Sequence, residues 1–248
     1  YCVVSNSLPS TATSAAAHVM IRRLVAHWPL NGNLEAIESN PAENWDGVYM
    51  NVAEPPASPS VSTEPVVYIP GADGTANGAV RFSGGRVVEI PDSNDFFNFH
   101  PQGLTLTAWV LGPTGGDWRR FVNKGGSYAG CQHNSNTIQM ILDGGSGWQT
   151  AVPANEAGEG KWRFVAMTYD PQTKERVIYG AYDDQDTFDI LHVSSAAQTA
   201  TASGTLNLII GGASVTQSYY NYLGSVDDVR IYNYPLSPDQ IAEVYREM

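Results

Sequence analysis

The sequence predicts an all-β fold, a two-sheet antiparallel β-sandwich that ends in one short C-terminal helix. Three observations lead to this prediction. About a dozen short segments alternate between apolar and polar residues, the period of a strand with one buried face. Gly-Gly, Asp-Gly, Asp-Pro and Asn-rich breaks separate these segments, as turns do in sandwiches and barrels. Charged residues make up only 15% of the 248 residues, whereas 24 Gly and 15 Pro supply turns, so the composition does not suit a helix bundle.

The N-terminal segment differs from the rest of the chain. Residues 1–21 are rich in Ser, Thr and Ala and show no sustained periodicity, so we expect an N-terminal arm or linker followed by one domain over residues 22–248. Cys2 lies in the arm, and a disulfide to Cys131 would tie the arm to the domain. Two cysteines permit this bond but do not require it.

The strands follow in order along the domain. Residues 24–30 predict the opening strand, which ends at an Asn-Gly-Asn turn. Residues 35–65 predict a long irregular loop, because Pro-containing clusters interrupt any alternation. Two short strands around Gly84-Gly85 predict a hairpin over 78–90. Further strands are predicted at 104–110, 120–123, 137–142, 148–152, 162–169, 176–182, 188–193, 206–210 and 224–232.

Only the last segment has strong helical signals. Ser237 suits the N-cap, Pro238 suits the first helical position, and Gln240 completes a capping box. An apolar stripe follows at helical spacing. The sequence therefore predicts a helix over residues 238–246 that packs on a sheet edge. The stripe consists of Ile241, Val244 and Tyr245.

The charge of the chain excludes two classes of partner. Twenty-five acidic residues against 13 basic ones give a net charge of −12, which repels phosphate backbones and anionic lipid headgroups. We therefore expect no nucleic acid and no membrane insertion, since no apolar run approaches the ~20 residues that span a bilayer. A neutral glycan, a cationic surface and bound cations are all compatible with this charge.

Four segments carry a more specific signal. They are residues 26–33 (AHWPLNGN), 77–91 (NGAVRFSGGRVVEIP), 160–170 (GKWRFVAMTYD) and 224–245 (GSVDDVRIYNYPLSPDQIAEVY). Together they resemble the laminin-G-like, concanavalin-A-like jelly-roll family, and the last also looks like the closing strand and helix of pentraxins. The resemblance implies a jelly roll. It also implies a secreted or cell-surface setting, because the family includes sugar-binding modules of bacterial polysaccharide-degrading enzymes, adhesins and surface proteins.

The closing strand contains a candidate metal ligand. In an alternating strand Asp227 shares a face with Val229 and Ile231, so we expect its carboxylate to point inward, where it needs hydrogen bonds or a metal ion. The resemblance implies a structural Ca²⁺ between the first loop and the last strand, held by carboxylate and carbonyl oxygens. A carboxylate that only accepts backbone amide bonds is the alternative. The expected calcium ligands are Asp227, Asn33, Glu35 and Asp46.

Aromatic residues in predicted loops form the candidate ligand-binding surface. Pyranose rings stack their C–H faces on aromatic rings, while nearby amides and carboxylates bind the hydroxyls. Trp28, Trp109 and Trp162 lie in predicted strands, so we expect them in the core. The alternative for each loop ring is that it covers its own loop. The expected ligand-binding residues are Trp118, Tyr128, Trp148, Tyr219, Tyr220 and Tyr222.

Two polar clusters keep an enzyme as an alternative. Asp184, Asp186 and Asp189 have the spacing of the carboxylate triad in laminarinase-like glycoside hydrolases, but they fall in a predicted turn. A second cluster resembles the base, acid and cation of polysaccharide lyases on a jelly roll, although such residues also occur on solvated strands. Its members are Arg119, Arg120, Lys124, Tyr128 and His133.

These observations favour a non-catalytic extracellular carbohydrate-binding or adhesion module that calcium stabilises. Its expected partner is a glycan or polysaccharide, with other surface proteins as a second class. Two alternatives stay open from the sequence: a polysaccharide lyase or glycoside hydrolase on the same jelly roll, and a structural subunit of a cell-surface assembly.

Overall fold

Two large antiparallel sheets form the body of the described structure, which confirms the predicted two-sheet sandwich. The structure, a computed structural model, describes residues 3–5, 11–13, 21–37, 44–92, 96–99, 102–112, 118–132, 137–142, 147–150, 161–183, 189–194 and 206–248. The strands are β1 (Val3–Ser5), β2 (Thr11–Thr13), β3 (Leu24–Trp28), β4 (Val48–Asn51), β5 (Ser60–Val61), β6 (Tyr68–Ile69), β7 (Ala79–Arg81), β8 (Arg86–Ile90), β9 (Leu104–Leu111), β10 (Arg119–Lys124), β11 (Tyr128–Gln132), β12 (Ile138–Leu142), β13 (Gly147–Thr150), β14 (Arg163–Asp170), β15 (Glu175–Tyr182), β16 (Asp189–Ser194), β17 (Leu208–Ile210) and β18 (Ser225–Tyr232). One helix, α1 (Pro238–Arg246), follows them.

The strands pair in a fixed order within each of the two sheets. Sheet I has the order β13-β12-β11-β10-β17-β8-β4-β5, and sheet II has the order β16-β15-β14-β9-β18-β7-β6. Strand β18 pairs with β9 on one side. On its other side it pairs with β7 through its first residues and with β3 through its last ones. The opening and closing strands of the domain therefore meet in sheet II.

The main core combines apolar residues from both sheets. Trp28, Phe121 and Tyr169 are among the largest side chains that are fully buried there. A buried aromatic side chain contributes about 1.5–3 kcal/mol of transfer free energy, so these rings are a main source of stability. Trp28, Trp109 and Trp162 are all buried, as the sequence predicted.

Helix α1 begins with the capping box that the sequence predicted. The Gln240 amide donates to Ser237 Oγ, and the Ser237 amide donates to Gln240 Oε1. The predicted packing on a sheet edge is wrong, because the stripe of α1 joins Trp109 and Phe164 in a second apolar cluster on the outer face of sheet II. The helix therefore covers a face of the sheet.

Two predicted loops contain strands. The predicted 35–65 loop includes β4 and β5, and β4 pairs with β8. The segment Tyr128–Gln132 forms β11 in the middle of sheet I, between β10 and β12. All five residues of β11 are buried, because Tyr128 belongs to the main core while Ala129 and Cys131 form a small apolar cluster with Ile141. A strand that is buried on both faces shows no alternation, so the pattern did not reveal it.

The N-terminal part is described only in its backbone at β1 and β2, which pair with each other. The boundary between an arm over residues 1–21 and a domain over 22–248 stays a prediction. Cys131 is a free, fully buried cysteine whose Sγ donates to Gln139 Oε1 at 3.7 Å, and Cys2 lies outside the described residues. Within the described part of the chain, no helix has the length and apolarity to span a bilayer.

Candidate functional site

Three of the predicted ligand-binding rings meet beside the start of β10, one of the two central strands of sheet I. The Tyr219 and Tyr220 rings are perpendicular with centroids 4.9 Å apart, and the Trp118 ring lies 6.5 Å from that of Tyr220. Tyr219 is 60% exposed, while Trp118 and Tyr220 are half-buried. We call these three residues the aromatic cluster, and it offers ring faces and edges to solvent.

Two other predicted rings lie inside the protein, so the sequence-based assignment of them to a ligand surface needs correction. Tyr128 and Tyr222 are 2% and 0% exposed and belong to the core between the sheets. The Tyr222 hydroxyl donates to Gln132 Oε1 at 3.3 Å, and its ring packs edge-on against Phe121. A ring with no exposed face cannot stack on a sugar.

The sixth predicted ring, Trp148, lies in β13, where its backbone pairs with Ile141. Its side chain lies outside the described residues. The ligand-binding role of Trp148 therefore stays a prediction.

The loop over residues 211–222 presents the exposed Tyr219 and the half-buried Tyr220. Its ends meet, since the Tyr222 amide donates to the Gly211 carbonyl at 2.9 Å, and the Gly211 amide donates to the Phe121 carbonyl at 2.9 Å. Gly211 has φ +85°, and a Cβ at this position would lie 2.3 Å from the Phe82 ring. Glycine is therefore required at the base of the loop, and Tyr222 anchors the other end in the core.

Two arginines at the start of β10 hold this loop against sheet I. Arg119 Nη1 donates to the carbonyls of Tyr219 and Asn221 at 3.2 and 3.0 Å. The Arg120 amide donates to the Tyr220 carbonyl at 3.0 Å, and the Arg120 guanidinium lies 5.1 Å from the centroid of the Tyr220 ring. The aromatic cluster is thus fixed by backbone contacts and by a cation–π contact.

A second loop supports the 211–222 loop from the other side. The Ala53 amide donates to the Val215 carbonyl at 3.0 Å, and Ser218 Oγ donates to Glu54 Oε1 at 2.6 Å. These Ser218 hydrogen bonds lower the pKa of the Glu54 carboxyl, although burial raises it slightly. The charged form of Glu54 therefore favours the ordered loop.

A cleft of about 470 Å³ adjoins the aromatic cluster on the outer face of sheet I. Arg120 Nη1 donates to Asn123 Oδ1 at 2.9 Å, and Asn123 Nδ2 donates to the Ala213 carbonyl at 2.5 Å. Asn207 Nδ2 donates to Glu89 Oε1 at 3.0 Å. This combination of a small cleft, polar groups and adjacent rings is typical of small-molecule and sugar sites. The polar lining residues are Glu89, Arg120, Asn123, Asn207, Ser214, Thr216 and Gln217.

A larger cleft of about 600 Å³ lies on sheet II beside the start of α1. Two tyrosines line it, but Tyr179 is only 4% exposed. The Tyr234 ring faces Arg22, whose guanidinium lies 5.9 Å from its centroid. This cleft therefore offers less open ring surface than the aromatic cluster does.

The described residues of the predicted lyase cluster do not form an open site. The Lys124 side chain is fully buried, with Nζ 2.7 Å from Asp92 Oδ2, and Tyr128 lies in the core. Arg119 and Arg120 instead hold the 211–222 loop. His133 lies outside the described residues.

The predicted hydrolase triad falls mostly outside the described part of the chain. Asp184 and Asp186 lie there, and Asp189 is exposed at the start of β16. Glycoside hydrolysis needs a pair of carboxyls held across one bond of the substrate. No such pair is described among these three residues.

The predicted inward orientation of Asp227 is wrong, because β18 contains a bulge. The register shifts between Asp227 and Arg230, and Asp228 takes φ +47°. The extra residue places Asp227 opposite Trp109, on the outer face of sheet II, while Val229 stays in the core between the sheets. The even alternation on which the prediction rested therefore stops at Asp228.

The predicted calcium ligands separate into two groups. In the first loop, the Glu35 amide donates to Asn33 Oδ1 and the Ala36 amide donates to Asp46 Oδ1 at 3.0 Å. Asp227 Oδ2 instead accepts the Ala72 amide at 2.9 Å. Among the described residues, no group of three or more His, Cys, Asp or Glu side chains is arranged to hold a metal ion. The four residues therefore do not fit a single calcium site.

Sequence reasoning missed the acidic neighbour of Asp227. Burial, 2% exposure, raises the pKa of the Asp227 carboxyl to about 7, and the charges of Asp228 and Asp73 raise it further while the Ala72 amide lowers it. Asp73 belongs to the 71–75 turn, where it accepts the Thr75 amide at 2.7 Å. Only the fold brings this turn to β18.

Comparison with known proteins identifies the family. The family model for the concanavalin A-like lectin/glucanases superfamily, a laminin G type, matches residues 82–242. This range covers more than half of the chain. A search of curated proteins found no matching relative.

Solved structures share the fold at low sequence identity. Domain 4 of AbnA, a GH43 extracellular arabinanase from Geobacillus stearothermophilus solved with arabinotriose, is 15% identical with a TM-score of 0.60, over 90% of this chain and 98% of that one. A Trypanosoma rangeli sialidase in complex with a difluoro-nononic acid is 14% identical with a TM-score of 0.58, over 88% of this chain but only 32% of that one. The CBM40 of the Ruminococcus gnavus IT-sialidase is 14% identical with a TM-score of 0.50, over 67% and 95%. At these identities the likeness concerns the fold alone.

Proposed function

Because this chain belongs to the concanavalin A-like lectin/glucanases superfamily, we propose that it is a carbohydrate-binding module that holds a glycan on the aromatic cluster and the adjoining cleft of sheet I. The open tyrosine pair beside a polar cleft is the observation that carries the proposal. The arabinotriose bound to the similar arabinanase domain supports a glycan partner. The extracellular nature of that arabinanase likewise supports an extracellular setting for this chain.

The geometry indicates how a sugar would bind. The C–H face of a pyranose or furanose ring stacks on Tyr219 or Tyr220, which contributes about 1 kcal/mol beyond the buried area. Hydroxyls of the same or the next sugar then reach the cleft, where Arg120 donates and Glu89 accepts hydrogen bonds. The contacts from Arg119 and Glu54 hold the loop in place before binding, so little conformational entropy is lost on association.

The proposed role is binding without catalysis. Lys124 and Tyr128 of the predicted lyase cluster are buried inside the protein, where a polysaccharide cannot reach them. Release of reducing ends or unsaturated uronates from any polysaccharide by the purified protein would overturn this part of the proposal.

Calcium stabilisation is also a proposal, and its candidate site is the pair Asp227 and Asp73. The carboxylates of Asp227 and Asp73 lie close enough to repel each other, and a bound cation would offset that repulsion. Together with carbonyl oxygens of the 71–75 turn, they would supply the oxygen ligands that Ca²⁺ prefers. Asn33, Glu35 and Asp46 bind their own loop and are not needed for this site.

Titration calorimetry with a panel of neutral and acidic oligosaccharides tests the proposed binding site. Tyr220→Ala should weaken binding several-fold to about tenfold, because one stacking ring is lost. The matched control is Tyr182→Ala on sheet II, since Tyr182 is also a half-buried tyrosine with an arginine, Arg163, 5.4 Å from its ring centroid. Equal affinities for both variants would place the glycan elsewhere.

A further inference from the structure

Among the residues that the structure describes, Arg120 is a partly desolvated cation without an acidic partner. Its Nη1 donates to the neutral amide of Asn123, and its guanidinium packs on the neutral ring of Tyr220. Its Nε is buried and makes no hydrogen bond, and its Nη2 makes none to any described residue. Within the described structure, no carboxylate lies within salt-bridge distance of this guanidinium.

Two other buried cations of this protein have acidic partners. Arg230 pairs with Asp228 at 3.1 Å and also with Glu247, and Lys124 pairs with Asp92 at 2.7 Å. A buried charge is normally retained only when an opposite charge or strong hydrogen bonds compensate it. Arg120 departs from this rule at the point where its side chain lines the sheet I cleft. Such a departure is typical of a group whose partner is a ligand.

We propose that the sheet I site selects sugars that carry an anionic group, a carboxylate or a sulfate, and that Arg120 binds this group while the aromatic cluster stacks on the sugar ring. The inference rests on the proposed glycan-binding function and specifies its ligand class. Nη2 carries two N–H donors, and a charged acceptor forms shorter and stronger hydrogen bonds with a guanidinium than a neutral hydroxyl does. Loss of water around Arg120, which lowers the pKa of its guanidinium, would be offset when an anion binds.

Two features of the protein oppose an anion, and neither acts at Arg120 itself. The net charge of −12 is spread over the whole chain and is screened beyond about 10 Å at ordinary salt concentrations. Glu89 lines the same cleft, but β17 separates β8 from β10, and Glu89 and Asn123 both pair with Ile209. Two strand spacings put their backbones roughly 9–10 Å apart. The cleft thus has an anion-binding end at Arg120 and a hydroxyl-binding end at Glu89.

The test compares three probes of equal length by calorimetry at low and moderate salt. They are a galacturonate tetramer, the same tetramer after reduction of its carboxyl groups, and a sulfated galactose tetramer. We expect the galacturonate or the sulfated tetramer to bind about tenfold or more tightly than the reduced one, because a charged hydrogen bond is lost on reduction. Whichever of the two anionic probes binds more tightly identifies the group that Arg120 recognises.

Variants separate the inference from the proposed function. Arg120→Gln should remove the preference for the anionic probe, so that its affinities for the anionic and the reduced tetramer agree within about twofold, and Arg120→Lys should restore part of the preference. Arg81→Gln is the control, because Arg81 is exposed on sheet II and its replacement changes the net charge equally. Measurable binding of the reduced tetramer by Arg120→Gln shows that the site is still folded in the variant.

The outcomes distinguish the two levels of the hypothesis. Equal binding of all three probes, or an anion preference that Arg120→Gln leaves intact, overturns the inference while glycan binding stands. A preference that Arg81→Gln removes as well indicates a general charge effect and also overturns it. Absence of binding to these probes and to the wider oligosaccharide panel overturns the proposed function itself.

Discussion

The outer faces of the two sheets carry similar aromatic residues but differ in what covers them. On sheet II, Trp109 stacks on Tyr245 of α1 with centroids 5.5 Å apart and an interplanar angle of 22°, and Trp109 is only 3% exposed. On sheet I, Tyr219 and Tyr220 lie on a loop, and Tyr219 is 60% exposed. Helix α1 buries the sheet II aromatic residues in a second apolar cluster, whereas the 211–222 loop presents the sheet I tyrosines to solvent.

The charges follow the same division. On the outer face of sheet II, Arg230 pairs with Asp228 and Glu247, so its charge serves the fold. On sheet I, Arg120 has only neutral partners. Residue type alone therefore does not separate structural from functional side chains. The difference is whether another residue of the protein neutralises the charge or covers the ring.

The largest expected effect is on the covered face. Trp109→Ala should lower the free energy of unfolding by about 3–5 kcal/mol, because it removes a buried ring that contacts Phe164 and Tyr245. Urea denaturation measures this loss. Trp118→Ala on the open face should cost less than about 1 kcal/mol, as expected for a more exposed site. Similar losses for both variants would contradict the contrast between the faces.

Calcium should produce the next largest effect, on the sheet II face. At a calcium concentration 100 times the dissociation constant, the folded state should gain about 2.7 kcal/mol, and EGTA should reverse the gain. Thermal melts measure the response. Asp227→Asn and Asp73→Asn should each abolish it, while Asp46→Asn should retain it. Loss of the response in Asp46→Asn alone would return the site to the first loop.

Tyr222 joins the two regions, since it anchors the open loop in the core. Tyr222→Phe should lower the free energy of unfolding by about 1 kcal/mol, because the hydrogen bond to Gln132 is lost while the ring is kept. Glycan affinity should stay within about twofold, as measured by calorimetry. A large loss of affinity in this variant would show that the hydroxyl contacts the ligand, against its buried position.

Tyr219 should show the opposite behaviour. Tyr219→Ala should weaken glycan binding about threefold to tenfold and change the free energy of unfolding by less than about 0.5 kcal/mol. Ile190→Ala is the matched control, because Ile190 is also largely exposed, at 55%, but lies on sheet II. A change in stability without a change in affinity would assign Tyr219 to the support of its own loop.

The smallest effect concerns pH at the support of the loop. The Ser218 hydrogen bonds lower the pKa of Glu54 below its unfolded value near 4.5, so the stabilisation is present above pH 4.5 and is lost as the pH falls through the lower folded value. Glu54→Gln should therefore melt slightly below the wild type at pH 7 and coincide with it near pH 3. A difference that persists at pH 3 would show that the charge of Glu54 is irrelevant.

Much of the fold was encoded locally. Alternation predicted β9, β14, β15 and β18 nearly to the residue, and the capping box predicted α1, because both signals depend on neighbours within a few positions. The aromatic residues at 118 and 219–220 likewise predicted which loops form the candidate site. Glycine and proline breaks marked most of the turns.

Only the tertiary structure decided which aromatic and acidic residues face solvent. Tyr220 and Tyr222 are two positions apart in the same loop, yet one lines the open site and the other lies in the core, because a loop has no fixed side-chain period. Tyr128 lies in a strand that is buried on both faces, which its sequence pattern does not indicate. The bulge at Asp228 places Asp227 near Asp73, which is 154 positions away in the sequence. Pairing between distant segments sets these positions, and local sequence patterns carry no information about such pairing.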